Sequence, residues 1–375
     1  MKKILYFFPF NPIEKKDGSK TRALELLYFF KEYNYTVDLV YEKNADNTFL
    51  HDEDLLNKKL AQKIWSIKRR PRTFSLNYLL YKFHKIFLRK KTSLNNFYFD
   101  RQFNQILKQK EYDFIIISYA TYAGLIKSKK NIKNAKTIID THDFLTAQIQ
   151  DKKKSKIGGY FQDEIRRLSM FDEVWAISSD ELYLYSQFLP NVRIVPFIPT
   201  KNIISHETVV VEFDILYVAS ENPHNLRAAA WFFSNVYPLL DSNYRIAVVG
   251  KISKHIKDYK NVKKFDFIDD LSAIYQKSKI SICPMLSGTG VKIKVLESLS
   301  FGLPVVTQLR GVDGLPNKTR NGCFVAENEQ EFASYIDILL TDTFFYKNAS
   351  KDVRAFYNEN YSKDIIYKNL LNLLK

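Results

Sequence analysis

Residues Lys279–Thr307 read KISICPMLSGTGVKIKVLESLSFGLPVVT. The run Lys279–Met285 is apolar rather than alternating, which predicts a strand buried on both faces. Ser287-Gly288-Thr289-Gly290 is a loop of small residues. Val291 to Phe301 then carries a helical pattern, stopped by Gly302 and Pro304. Pro304–Thr307 is the next apolar run. Strand, glycine loop, helix and strand make one βαβ unit of a parallel sheet. The loop amides and the positive end of the helix both favour an anion there. Lys292 and Lys294 add formal positive charge. Lys294 and Glu297 are three residues apart and share a helix face. A cation for phosphate beside a carboxylate for sugar hydroxyls suits a nucleoside diphosphate. Lys–Glu at this spacing is also an ordinary surface pair, so on residue chemistry both readings stay open.

The same alternation runs outward in both directions. Upstream, Ile4–Phe8 reads as a strand, a loop holds Gly18, and Thr21–Tyr33 reads as a helix. Val37–Tyr41, Asp113–Ser118, Thr137–Asp140 and Glu173–Ile177 are further short β-rich runs. Pro190, Pro196, Pro199 and polar Thr200–Thr208 mark a boundary. A second series follows: Asp214–Ala219, Tyr244–Gly250, Val262–Phe265 and then the quoted unit. Glu331–Lys375 reads as helical. The fold class is α/β, with two Rossmann-like domains facing across a cleft. The expected domains are 1–195 and 196–355, with a C-terminal helix at 356–375 packing back on the first. Ligands of such open sheets bind beyond the strand C-terminal ends.

The chain has 375 residues, 46% hydrophobic and 26% charged, and only 11 glycines. This excludes disordered and collagen-like classes. Aromatics reach 15%, enough for large cores. The net charge of +16 is unevenly spread. Residues 58–91 hold twelve Lys or Arg and no acid, which leaves 45 basic against 41 acidic residues elsewhere. This block, with Lys68, Arg69, Arg70, Arg72, Arg89 and Lys90, is interleaved with Trp65, Phe74, Tyr78 and Phe83. It reads as a helical insertion that is either a plain solvated surface or a site for an anionic membrane or acceptor. Nucleic acid is the weaker reading, and no nucleic-acid partner is expected.

Cys283 and Cys323 offer no metal-ligand spacing and no disulfide framework, which fits a reducing compartment. Met1-Lys2-Lys3 before an apolar run has the order of a signal peptide. It lacks a small-residue cleavage site, and Pro9 and Pro12 interrupt it, so a first strand is expected. Phe114–Ile126 is too short to span a bilayer. A cytoplasmic protein is expected, peripheral at most on the inner membrane face. Asp52-Glu53-Asp54 has the form of a metal-binding Asp-x-Asp, but a helix-start cap fits its context better. No metal is expected. His142 stands apart from the other histidines because Asp140 and Asp143 flank it at a strand end. His224, before Asn225, reads as a helix-start residue near a bound nucleotide.

The stretch Ser287–Leu315, SGTGVKIKVLESLSFGLPVVTQLRGVDGL, resembles the donor-site motif of family 4 glycosyltransferases, which have the GT-B fold. The opening of the second domain, Asp214–Leu240, is similar to that family's too, and the resemblance follows nearly the whole chain. It implies a retaining hexosyltransferase-type enzyme that takes a UDP- or GDP-linked sugar. The acceptor would be a glycan or lipid-linked glycan in surface polysaccharide biosynthesis. The resemblance implies no cofactor and no obligatory metal.

Carried over residue by residue, Glu297 corresponds to the second of the family's paired glutamates and would hold the ribose. Lys294 would contact phosphates, with Lys292 supplying further charge. Gly290 and Val291 would offer amides, and Gly18 would let the backbone approach the diphosphate. His142 would touch the donor sugar, and Asn225 would lie at the nucleotide. Thr289 stands where the first glutamate is expected, which puts the sugar contacts there in doubt. Two alternatives remain beside the transferase. One is a non-catalytic polyanion-binding protein on a degenerate GT-B scaffold. The other is a nucleotide-sugar 2-epimerase.

Overall fold

The computed structural model describes residues 1–13, 18–43, 55, 58–71, 78–79, 97–127, 131–149, 157–198 and 210–375. Asp52–Asp54 and, in the basic block, Arg72, Phe74, Phe83, Arg89 and Lys90 lie outside them. The chain forms two compact units, Met1–Val195 and Pro196–Lys375.

In the first unit the strands are β1 (Lys3–Phe7), β2 (Thr36–Glu42), β3 (Lys63–Ile67), β4 (Phe114–Ser118), β5 (Lys136–Asp140), β6 (Glu173–Ala176) and β7 (Val192–Ile194). They pair in the order β3-β2-β1-β4-β5-β6-β7, all parallel. The central strands are sealed on both faces: Ile4–Phe7 and Phe114–Ser118 are buried throughout. This is why they read as continuous apolar runs. The longer helices are α1 (Gly18–Glu32), α2 (Phe97–Leu107), α3 (Ile157–Leu168) and α4 (Ser179–Ser186). On α2 the buried residues Phe99, Phe103, Ile106 and Leu107 recur at one-turn spacing and make one apolar stripe. Phe7 packs edge-on against Phe99 and Phe103, each at 6.2 Å, and lies 4.8 Å from the Tyr122 ring.

The second unit repeats the plan. Its strands are β8 (Phe213–Val218), β9 (Ile246–Val249), β10 (Val262–Phe265), β11 (Ser278–Cys283), β12 (Val305–Gln308) and β13 (Cys323–Ala326). Their order is β10-β9-β8-β11-β12-β13, again all parallel. Its longer helices are α5 (Pro223–Trp231), α6 (Ile293–Ser300), α7 (Glu329–Thr341), α8 (Thr343–Asn360) and α9 (Lys363–Leu373). Two helices, α8 and α9, occupy the end of the chain, with Tyr361 closing the first of them. Both sheets follow the doubly wound plan, in which strand order reverses beside the first strand. The reversal falls between β1 and β4 in one unit and between β8 and β11 in the other.

The structure differs from the sequence reading at the basic block. Residues 63–67 are not helical but form edge strand β3, paired with Asp38–Glu42. Its Lys63 ammonium sits 3.8 Å from the Trp65 ring centroid, so the charge packs on an aromatic face.

Candidate functional site

In the second unit the switch point is bordered by the residues after β8 and after β11. Helix α5 starts cleanly because Asn222 accepts the Asn225 amide at 2.9 Å and Pro223 fills the first turn. Asn225 is buried. Its Nδ2 donates to Ser220 O and Ser220 Oγ, both at 3.0 Å. These bonds orient the amide, so Oδ1 faces Lys294, whose Nζ donates to it at 2.8 Å.

After β11 the chain turns through Gly288 (φ 109°) and Gly290 (φ 73°), both left-handed. A Cβ at Gly290 would meet nothing within 4 Å, so this glycine serves the backbone conformation, with open space beside it. Helix α6 then begins with Lys292 at its cap position, and the Lys292 side chain bonds none of its amides. By contrast α4, α5, α7 and α8 are capped by Ser178, Asn222, Asn328 and Asp342, while α9, like α6, has no side-chain cap. Uncapped amides at a helix start are left for solvent or a ligand.

Two cations stand at this start. Lys292 is buried and donates to the Gly290 carbonyl at 2.6 Å and the Thr289 carbonyl at 3.4 Å. Its nearest carboxylate oxygen, on Asp313, is 3.9 Å away and also lies 3.6 Å from Arg310. Lys294 is partly buried, with the Tyr217 ring 5.8 Å from its ammonium. Burial pushes both lysines below their ordinary range. Lys294 and Glu297 form no ion pair. Glu297 instead accepts Tyr275 OH at 3.1 Å, and burial raises its carboxyl. Thr289 is exposed. His224 Nδ1 takes Ser287 Oγ at 2.9 Å and Arg227 Nη2 at 3.1 Å. A ring nitrogen facing a guanidinium is an acceptor, so the imidazole proton sits on Nε2.

In the first unit Gly18 opens α1 and is not among the glycines with positive φ. Asp140 ends β5 fully buried. Arg22, on α1, donates Nε to both its oxygens at 3.2 Å and Nη2 to Oδ1 at 2.7 Å. His142 Nε2 meets Oδ2 at 2.9 Å and Ser118 Oγ at 3.1 Å. Burial opposes ionisation of Asp140, but Arg22 and His142 hold its carboxyl well below the usual range. His142 (φ 60°) and Tyr119 (φ 68°) are both left-handed, and their rings stack at 4.4 Å. With Nε2 engaged, Nδ1 is the ring atom left for a ligand, since it makes no hydrogen bond among the described residues.

Sequence reading named His142, Lys292, Lys294, Asn225 and Glu297 but missed Arg22, Ser118, Tyr119 and Tyr275. Arg22 and Asp140 are 118 positions apart, a separation that leaves no local pattern. In the basic block Lys68 and Arg70 are exposed. Arg69 turns inward: its Nη2 donates to Glu42 Oε2, and to Tyr122 OH at 2.9 Å. Among the described residues no group of three His, Cys, Asp or Glu could hold a metal ion. Among them, too, no helix is long and apolar enough to cross a membrane.

Residues 212–342 match the family model described as Glycosyl transferases group 1. Over 399 aligned residues the chain is 21% identical to an uncharacterised 44.6 kDa protein in the cps region of Klebsiella pneumoniae, with 99% of each chain covered. Among solved structures it is similar to a sucrose-phosphate synthase from Thermosynechococcus elongatus. The TM-score is 0.73 at 13% identity, covering 100% of this chain and 98% of that one. Anabaena HepE in complex with UDP gives 0.69 at 13% identity, with 100% and 99% covered. The two parallel sheets therefore have the fold of GT-B glycosyltransferases, and the second of them lies within the stretch that matches the group 1 model.

Proposed function

We propose that the protein is a retaining glycosyltransferase of the family 4 type. It moves a sugar from a UDP- or GDP-linked donor to a glycan or lipid-linked acceptor in surface polysaccharide biosynthesis. The observation that carries this is the uncapped start of α6 at a switch point, flanked by Lys292 and Lys294. Such a start suits a diphosphate, whose charge grows as the sugar departs and is met by preorganised amides and cations. The group 1 match over 212–342 and the cps-region relative support the same reading. HepE has been solved with UDP and with UDP-glucose, which favours a uridine donor.

In this reading Lys294 and the amides of Gly290 and Val291 take the diphosphate, and Glu297 takes the ribose. Lys292 shapes the loop by holding its carbonyls. His142 offers Nδ1 to the transferred sugar. The acceptor oxygen forms its bond to the anomeric carbon on the face the diphosphate leaves. Because the bond forms on that same face, configuration is retained, and the acceptor's proton passes to the departing oxygen. Exposed Lys68 and Arg70 belong to a surface for an anionic acceptor or inner-membrane headgroups.

A thermal-shift series against UDP, GDP and their sugars tests the reading. A ligand at 100 times its dissociation constant adds about 2.7 kcal/mol, or roughly 5–10 °C for a unit of this size. No shift with any of them refutes it. Exposed Thr289, in place of a glutamate, favours the second reading, a polyanion binder without catalysis. Glu297→Ala separates the two. A transferase loses about tenfold or more in donor affinity with the lost charged hydrogen bonds, whereas a polyanion binder keeps its affinity for heparin.

A further inference from the structure

The turn after β5 carries Thr141, His142 and Asp143, and two buried glutamates grip it from either end. Glu164, on α3, accepts the amides of Leu145 at 2.9 Å and Thr146 at 2.8 Å, and the Thr146 hydroxyl at 2.7 Å. It also accepts Tyr185 OH at 3.2 Å. Glu181, on α4, accepts the Thr141 hydroxyl at 2.9 Å and the Ile177 amide at 3.4 Å, both on Oε2. Between the grips His142 holds φ 60°, a conformation a non-glycine residue keeps only where its surroundings impose it. The Thr141 hydroxyl has one proton and two acceptors in reach: Glu181 at 2.9 Å and the Trp175 carbonyl at 3.1 Å.

We propose that Glu181 is a positioning residue: by taking the Thr141 hydroxyl it sets the left-handed turn that aims His142. An ionised carboxylate is the stronger acceptor and draws the hydroxyl proton from the Trp175 carbonyl. A protonated one releases it, so the grip tightens as pH rises. Burial pushes the Glu181 carboxyl up to about 7, and Asp143 and Glu164 add to that rise against the Thr141 and Ile177 bonds. The groups facing it are Asp143 on the turn, Glu164 on α3 and Tyr185 on α4 itself. Beyond Thr141 lies the Asp140, Arg22 and His142 cluster. Giving His142 a role at the sugar rests on the transferase reading; the grip itself does not.

Kinetics of wild type, Glu181→Gln and Glu181→Ala test this. The glutamine keeps an oxygen for Thr141 and Ile177 but does not titrate. Wild-type kcat rises through neutral pH, and E181Q lacks that rise. E181A loses about tenfold or more in kcat while donor KM stays within about twofold. Unchanged kcat in E181A, a KM rising in step with the lost kcat, or a retained rise in E181Q overturns the proposal. A second readout needs no turnover. The His142 ring proton signal of wild type, followed by NMR against pH, shows a step near pH 7 that E181Q lacks. Where that step is present in wild type and lost in E181Q but no sugar is transferred, the grip stands and the transferase reading falls. Where the step is absent, the grip falls.

Discussion

Lys294→Met is expected to remove donor binding and turnover while leaving the fold intact. The side chain is partly buried, with Met285 Sδ 4.0 Å from its ammonium and the Tyr217 ring 5.8 Å away. Methionine has similar length and suits those neighbours. Losing a desolvated cation favours folding, whereas leaving Asn225 Oδ1 without its donor costs about 1–3 kcal/mol. The two effects oppose, so the urea midpoint should move little. Binding has no such compensation. One charge-assisted bond to phosphate is about 1.5–3 kcal/mol, or roughly 10- to 150-fold in donor affinity. Its strengthening as the diphosphate leaves should bring the loss in kcat/KM to about 10²–10³-fold. Burial lowers the ammonium's pKa, so wild-type affinity should fall on the alkaline side at a pH below the ordinary lysine range. K294M should show no such fall. Isothermal titration with UDP against pH reads both effects. Retained affinity in K294M would assign the diphosphate to the loop amides alone.

The fold was legible in sequence wherever a strand is sealed on both faces. β1, β2, β4, β5, β6, β8, β9, β11 and β12 all appear as β-rich runs within a residue or two of their observed ends, and edge strand β10 is read at its observed bounds, Val262–Phe265. The strands that escaped reading are β3, β7 and β13, and all three lie at sheet edges. β3 mixes Lys63, Trp65 and Ser66 with two isoleucines and buries only its last residue, β7 has three residues, and β13 is only half covered over three of its four. An edge strand is stabilised by one neighbour's backbone, so its side chains need not advertise it.

The site divides the same way. The loop, lysines and glutamate of Ser287–Glu297 lie in one contiguous stretch, so their spacing could be read. What each lysine does could not. Lys294 pairs with Asn225, 69 positions away, and Lys292 turns back onto its own loop carbonyls. Side-chain direction depends on the folded neighbours, and a helix-face argument places Lys294 beside Glu297 where the structure pairs each elsewhere. The His142 turn was visible as an aspartate–histidine cluster, but its grips come from helices 18 to 40 positions downstream.

Asp140→Asn is expected to be the most destabilising polar change in the first unit. The carboxylate is fully buried, and the Arg22 guanidinium facing it is 3% exposed. Removing one member of such a pair strands the other charge away from water, at about 3–5 kcal/mol. His142 loses its acceptor as well, so activity should fall even in the fraction that folds. The sign of the pH effect follows from the depressed carboxyl. Its folded pKa lies below the unfolded value of roughly 3.9. The pair therefore stabilises the fold above that value and is lost as pH falls below it. Wild type should lose stability steeply below about pH 4, and D140N should be weaker at neutral pH but flatter in acid. The double variant Asp140→Asn with Arg22→Met tests the cause. Removing both charges should recover part of the loss, giving a coupling of about 1–3 kcal/mol in a urea-denaturation cycle. Strict additivity would mean that Asp140 acts through the backbone of the β5 turn, independently of Arg22.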